Sequence, residues 1–369
     1  MDLGDPRRDT VPDVPIDSYF WTGRRVLLTG HTGFKGAWTA LWLQGLGAKV
    51  TGLSAGPPTE PSLYALAGVG SQMAGELAVD VRHTEEVREA ISQTRPEIVL
   101  HLAAQPLVRR SLRDPAMTYE VNVMGTVNVL EAVRLAGDSV RAVVVVTSDK
   151  CYANSSENPR QFVEGDPLGG SDPYSSSKAC AELVTAAYRD SFFSEETAAR
   201  VASARAGNVI GGGDWGQDRL IADIVRGVGA GESVKVRNPG AVRPWQHVLN
   251  PLSGYLRLAE ELCLSGDVAR AWNFGPRERD ARTVGWIVER LGSLWGGRLK
   301  WELDEGENPP EAGYLALDST AAGRDLGWSP AWDLEEALER IVEWHEAQDR
   351  GEDMRQVSLA QIEHFAGFA

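Results

Sequence analysis

The first half of the chain alternates short apolar runs with stretches of helical spacing. Arg25-Val-Leu-Leu-Thr29 reads as a buried strand, Lys49-Val-Thr-Gly-Leu53 as a second and Leu77-Ala-Val-Asp80 as a third. A glycine turn and a helix over about residues 36–46 separate the first two. A helix over 84–93 leads into Glu97-Ile-Val-Leu-His-Leu102, and a long helical stretch near 118–135 precedes Ala142-Val-Val-Val-Val-Thr147. Strands apolar on both alternations and separated by helices predict a parallel sheet buried on both faces. Right-handed crossovers make it a doubly wound α/β fold of the Rossmann kind.

Beyond about Gly207 the pattern loosens around Gly211-Gly-Gly-Asp-Trp215 and Arg243-Pro-Trp-Gln-His247, then resumes in helices over 284–294 and 334–347. This predicts a smaller substrate-binding lobe over the carboxyl ends of the strands. The expected division is a flexible extension at 1–19, a dinucleotide-binding domain with the catalytic residues at 20–207, a mainly substrate-binding lobe at 208–350 whose chain is free to return to the large domain, and a tail at 351–369. With 37 basic against 52 acidic side chains the net charge is −15, which argues against nucleic acid or an anionic membrane as partner. No run of 18 apolar residues occurs, and residues 1–20 lack the apolar stretch of a secretory signal. Three scattered cysteines, Cys151, Cys180 and Cys263, offer no disulfide framework or metal spacing, so a reducing cytoplasm and no metal are expected.

The turn after the first strand reads Gly30-His-Thr32-Gly33-Phe34-Lys35-Gly36. Three glycines between strand and helix let the backbone approach a pyrophosphate, which the helix N-terminus then faces. Asp80, with Val81 beside it, is placed to bond the adenine end of a dinucleotide or to cap the next helix. Leu102-Ala103-Ala104-Gln105 lets the chain pass close to a ribose, and Asn122 is a further cofactor candidate. After Leu53-Ser54 there is neither an acid for a ribose 2′-hydroxyl nor an arginine for a 2′-phosphate. The sequence leaves NAD and NADP both open.

Tyr174-Ser-Ser-Ser-Lys178 places a phenol and an ammonium one helical turn apart, so that the cation favours the phenolate. Ser148, in Thr147-Ser-Asp-Lys150, supplies a hydroxyl beside the phenol. The three groups suit removal of a proton from an alcohol while hydride leaves its carbon.

On these motifs, with Ala104-Gln-Pro-Leu-Val108, Arg205-Ala-Gly-Asn208 through Trp215, Arg243-Pro-Trp245-Gln-His-Val248 and Trp272-Asn-Phe-Gly-Pro276, the chain resembles the extended short-chain dehydrogenase/reductases. It looks specifically like their nucleotide-sugar 4,6-dehydratases of the CDP-glucose type, over about residues 20–347. The resemblance implies that Tyr174 takes the 4-hydroxyl proton as C4 gives hydride to nicotinamide, Lys150 removes the C5 proton, Asp149 protonates the departing 6-hydroxyl, and hydride returns to C6. It also implies CDP-glucose as the substrate and a homodimer built on two long helices per subunit. Arg219, Arg226, Lys235, Arg237 and Arg243 form a local basic cluster for the diphosphate, since arginine suits phosphate through its fork, with Arg226 better explained as a solvated helix face; Leu220 is a further substrate-site candidate. By family position Gln105, Asn208, Trp245, Glu311 and Tyr314 complete the substrate pocket. Pro and Gly in Asn308-Pro-Pro-Glu-Ala-Gly-Tyr314 stand where relatives often carry histidines, which leaves the sugar and the nucleotide base open. The alternatives are another nucleotide-sugar dehydratase or epimerase on the same scaffold, or a dinucleotide-binding protein without turnover.

Overall fold

A computed structural model describes residues 16–154, 160–194, 199–265, 267–306 and 314–367. Its frame is a seven-stranded parallel sheet of β1 (Arg25–Thr29), β2 (Lys49–Leu53), β3 (Gly75–Leu77), β4 (Ile98–His101), β5 (Ala142–Val146), β6 (Arg200–Arg205) and β7 (Ala271–Asn273). The order across the sheet is 3-2-1-4-5-6-7, so the order reverses between β1 and β4, where doubly wound sheets open a ligand crevice. Successive residues of one strand go to opposite cores. Val26, Leu28, Ile98, Leu100 and Val144 join one cluster, while Leu27, Val99, Val143 and Val145 join the other. That is why these runs carry no polar alternation.

The helices of eight residues or more are α1 (Phe34–Gly45), α2 (Thr84–Thr94), α3 (Gly125–Leu135), α4 (Pro173–Phe192), α5 (Leu220–Ala230), α6 (Leu249–Leu264), α7 (Val284–Leu294), α8 (Leu334–Asp349) and α9 (Met354–Phe365). Trp38, Leu41 and Trp42 of α1 share the first core with Leu252 and Leu256 of α6, and Val87, Ile91, Val129 and Val133 of α2 and α3 fill the second. A third core forms the smaller lobe, with Ile221, Ile224, Trp245, Ile287 and Leu291 packed under Leu338 and Ile341 of α8.

Two boundaries differ from the sequence expectation. The third strand ends at Leu77, whose carbonyl accepts the Ser54 amide and then turns back to the Val79 amide, so Asp80 lies beyond the sheet. As the sequence reading allowed, the chain after Gly207 returns to the large sheet: β7 pairs with β6 and α6 packs on β5 and β6. The segment set off as a tail carries α9, which packs on α1 with the Trp42 and Phe365 rings 5.5 Å apart. At the other end, Ile16 is buried and Trp21 Nε1 donates to Glu260 Oε1 at 2.7 Å.

Candidate active site

The glycine turn packs too closely for side chains. Gly30 has φ +73°, and a Cβ there would lie 2.8 Å from the Ala103 amide nitrogen; one on Gly36 would lie 2.1 Å from the Gly30 carbonyl oxygen. Gly33 caps α1 with no side-chain bond and no acid follows in the first turn, so the opening amides of α1, at Phe34, Lys35 and Gly36, are available to an anion. Thr32 Oγ1 ties the turn to the end of β2, 2.6 Å from Ser54 Oγ and 2.8 Å from the Gly56 carbonyl. This cradle fits a dinucleotide pyrophosphate.

Other candidates around the crevice are engaged inside the protein. Leu102, Ala103 and Ala104 line the chain beyond β4, half-buried, with the Ala103 amide donating to Thr29 Oγ1 at 3.1 Å. Gln105 is buried, and its carboxamide bonds Leu107 and Thr118. Asn122 accepts the Gln105 amide at 2.8 Å and donates to Ser177 Oγ at 2.9 Å, so it braces the loop against α4. Asp80 is held by the Arg82 guanidinium and backbone amide, which keep its carboxyl below the usual range. It does not cap α2, whose N-cap residue is His83. Val81 is buried against Gly125.

Tyr174 and Lys178 sit in the opening turns of α4. Pro173 starts that helix, Asp172 caps it through the Ser175 amide at 2.9 Å, and Ser111 Oγ accepts the Tyr174 amide at 3.1 Å. Lys178 Nζ donates to the Val146 carbonyl at 3.2 Å, fixing it to the end of β5. The next residues, Ser148, Asp149 and Lys150, form a tight turn: Ser148 Oγ accepts the Lys150 amide at 3.2 Å, donates to Asp149 Oδ1 at 3.0 Å and contacts the Tyr174 phenol. Asp149 is buried, and among the described residues its Oδ2 has no hydrogen-bond partner.

Burial governs the electrostatics here. It pushes Asp149 up, against the pull of Lys150 and the Ser148 hydrogen bond, so burial makes the protonated carboxyl easier to reach. It pushes the Tyr174 phenol up to about 12, with the Ser148 bond drawing it back. It pulls Lys178 down to about 8, opposed by Glu182. Lys35 is pulled down to about 7 by burial and then by the like charges of Arg219 and Lys178. Lys35 therefore faces Lys178 and Asp149 as well as opening α1, a placement that the glycine motif did not reveal.

Of the residues expected to bind substrate, Arg219 pairs with Asp214 at 2.7 Å and lies near Tyr174, next to Leu220 at the start of α5. Arg243 is buried and acts on Asp149. Arg237 Nη2 donates to the Asp218 carbonyl at 3.2 Å, and the Asp218 carboxylate lies 3.4 Å from Arg109, a cation the sequence reading did not single out. Asn208 has φ +37°, a left-handed conformation directly after Gly207, and its carbonyl accepts the Gln246 amide. Tyr314 is half-buried and its carbonyl accepts from Asn154. Lys235 is exposed on the strand Ser233–Val236. Trp245 belongs to the core of the smaller lobe, with Nε1 donating to the Arg282 carbonyl at 3.0 Å. Glu311 lies outside the described residues.

A parallel sheet with this strand order, a glycine turn at its switch point and Ser148, Tyr174 and Lys178 around its crevice define a dinucleotide-dependent enzyme acting on an alcohol carbon. The chain belongs to the NAD-dependent epimerase/dehydratase family, whose model matches residues 26–275, and NAD is the cofactor of that family. It is 50% identical to CDP-glucose 4,6-dehydratase of Salmonella typhimurium over 95% of this chain and 98% of that protein. With dTDP-glucose 4,6-dehydratase of Streptomyces griseus it shares 31% over 67% of this chain and 71% of the relative. Among solved structures, the NAD complex of Thermus thermophilus UDP-glucose 4-epimerase has a TM-score of 0.74 at 24% identity, covering 87% of this chain and 99% of that one. The dTDP-glucose 4,6-dehydratase of Bacillus anthracis gives 0.73 at 22%, covering 90% and 100%.

Proposed function

We propose that the protein is a CDP-glucose 4,6-dehydratase, forming CDP-4-keto-6-deoxy-D-glucose. The observation that carries this reading is the buried Asp149, accepting from Ser148 beside Tyr174 and followed by Lys150, with burial pushing its carboxyl up. Simple oxidation and re-reduction at C4 needs only the Ser148, Tyr174 and Lys178 set. A carboxyl beside it that burial pushes up gives the departing 6-hydroxyl an acid, and Lys150 is the base at C5. Bound NAD supplies the hydride acceptor for C4 and the hydride returned to C6. The phenolate of Tyr174 draws on the charge of Lys178, while Arg219 and Arg243 hold the nucleotide diphosphate.

The same reading places the enzyme in the cytoplasm as a homodimer. No helix among the described residues is long and apolar enough to cross a membrane. Leu112, Met124, Leu183 and Phe192 are exposed apolar side chains on the helical stretch 108–135 and on α4, a face suited to a second copy.

Proton NMR of the protein incubated with NAD and, separately, with CDP-, dTDP-, GDP- or UDP-glucose tests the proposal. A new C6 methyl doublet with CDP-glucose is expected, and its appearance only with another nucleotide would reassign the base. Lys150→Met is expected to abolish the methyl signal while calorimetric binding of CDP-glucose persists. A protein that only senses dinucleotide would give no methyl signal even before substitution.

A further inference from the structure

Tyr174, Lys178 and Glu182 follow at intervals of four on α4, so Glu182 lies on the same face, one turn beyond Lys178. Its carboxylate is buried and engaged on both oxygens. Oε1 accepts the Thr147 hydroxyl, while Oε2 accepts Ser203 Oγ at 2.6 Å and Arg205 Nη2 at 2.7 Å. Arg205 donates onward to the Tyr152 hydroxyl at 2.7 Å, and that hydroxyl donates to Asn273 Oδ1 at 2.7 Å. Thr147 and Tyr152 are the residues flanking the catalytic turn 148–151. Thr147 also follows Val146, whose carbonyl holds Lys178 Nζ. A buried ion pair is weak as a stabilising device, since desolvation offsets its attraction. Its place, gripping both ends of the reactive turn, points to a role in the chemistry.

We propose that Glu182, clamped by Arg205, is a positioning residue that fixes the turn carrying Ser148, Asp149 and Lys150 against the helix carrying Tyr174 and Lys178, and supplies the negative charge beside the Lys178 ammonium. The proposal rests on the dehydratase reading. The titratable groups facing Lys178 are Tyr174 and Glu182 on its own helix, Cys151 from the turn, Lys35 from α1 and His101 at the end of β4. Burial holds His101 down at about 3, so it is neutral, and Lys35 has the same sign as Lys178. Glu182 is therefore the carboxylate that opposes the desolvation of Lys178. Tyr174 needs a charged Lys178, so activity is lost as pH rises through the Lys178 value of about 8. Without Glu182 that alkaline limb moves to lower pH, by about 1 unit for the loss of an adjacent opposite charge.

The test is the pH profile of kcat for CDP-glucose turnover in the wild type, in Glu182→Gln/Arg205→Gln and in Thr147→Val. The double variant removes Arg205 together with Glu182, so no buried guanidinium is left unpaired. It is expected to show the limb about 1 pH unit lower and kcat about tenfold lower, with KM little changed. Thr147→Val keeps the ion pair but frees the turn, so kcat falls about tenfold with the limb unmoved. A folded double variant with the wild-type limb overturns the proposal, as does wild-type kcat in Thr147→Val, which decides alone if the double variant does not fold. An inactive wild type would instead remove the dehydratase reading itself.

Discussion

At the scale of single residues, the site depends on a missing side chain as much as on reactive ones. A Cβ on Gly207 would lie 1.7 Å from Asp149 Oδ2, the buried oxygen that has no hydrogen-bond partner among the described residues. Gly207→Ala must swing the carboxyl away and strain its bond to Ser148. Steady-state kinetics are expected to show kcat about 100-fold lower, the scale of a 1 Å misplacement, while overpacking costs about 1–3 kcal/mol of stability by urea unfolding. Gly229→Ala, where nothing lies within 4 Å, is the matched control and should leave kcat unchanged. Rejection of Gly207→Ala through KM alone, with kcat preserved, would show that Asp149 is not the acid.

At the scale of elements, α1 is the part on which the proposed cofactor site depends. Gly36→Ala would set a methyl 2.1 Å from the Gly30 carbonyl oxygen, and because that atom is backbone the turn itself must open. NAD affinity measured by titration calorimetry is expected to fall about 100-fold, or about 2.7 kcal/mol, with a lowered Tm. Gly45→Ala at the far end of the same helix meets only Leu359 at 3.9 Å and should do neither. The central strands and α1 were legible in the sequence because burial on both faces leaves an unbroken apolar run. The edge strand was not: Gly75–Leu77 is three residues of mixed burial, and the apolar Leu77-Ala-Val run mimics a strand two residues too late. Tyr174, Lys178 and the Ser-Asp-Lys turn were legible through spacing within one element or one turn. Lys35 beside Asp149, Glu182 under the turn and Trp245 in the lobe core are set by contacts between segments distant in sequence, which local spacing does not carry.

At the scale of the whole molecule, three buried histidines tie separate regions together and set the response to acid. His101 bridges Thr29 and Thr126 in the large domain, His247 packs between Trp38 and Trp332, and His345 of α8 packs on Trp215. Burial lowers them to about 3, 3 and 4, so each stabilises the fold fully above its unfolded value near 6.5 and loses that stabilisation as pH falls towards the folded value. Glu260 runs the other way. Burial raises it to about 7, so its contribution is present below its unfolded value and lost as pH rises through about 7. Between pH 6.5 and 5 each histidine withdraws about 2 kcal/mol and Glu260 returns about as much, at about 1.4 kcal/mol per pH unit. Urea unfolding of His345→Gln at the two pH values is expected to show about 2 kcal/mol less loss on acidification than the wild type, and Glu260→Gln about 2 kcal/mol more. Equal slopes in all three proteins would mean that these groups open to water before the fold does. Opposite changes in the two variants would show that the acid response is built into the contacts joining the large sheet, the smaller lobe and both ends of the described chain.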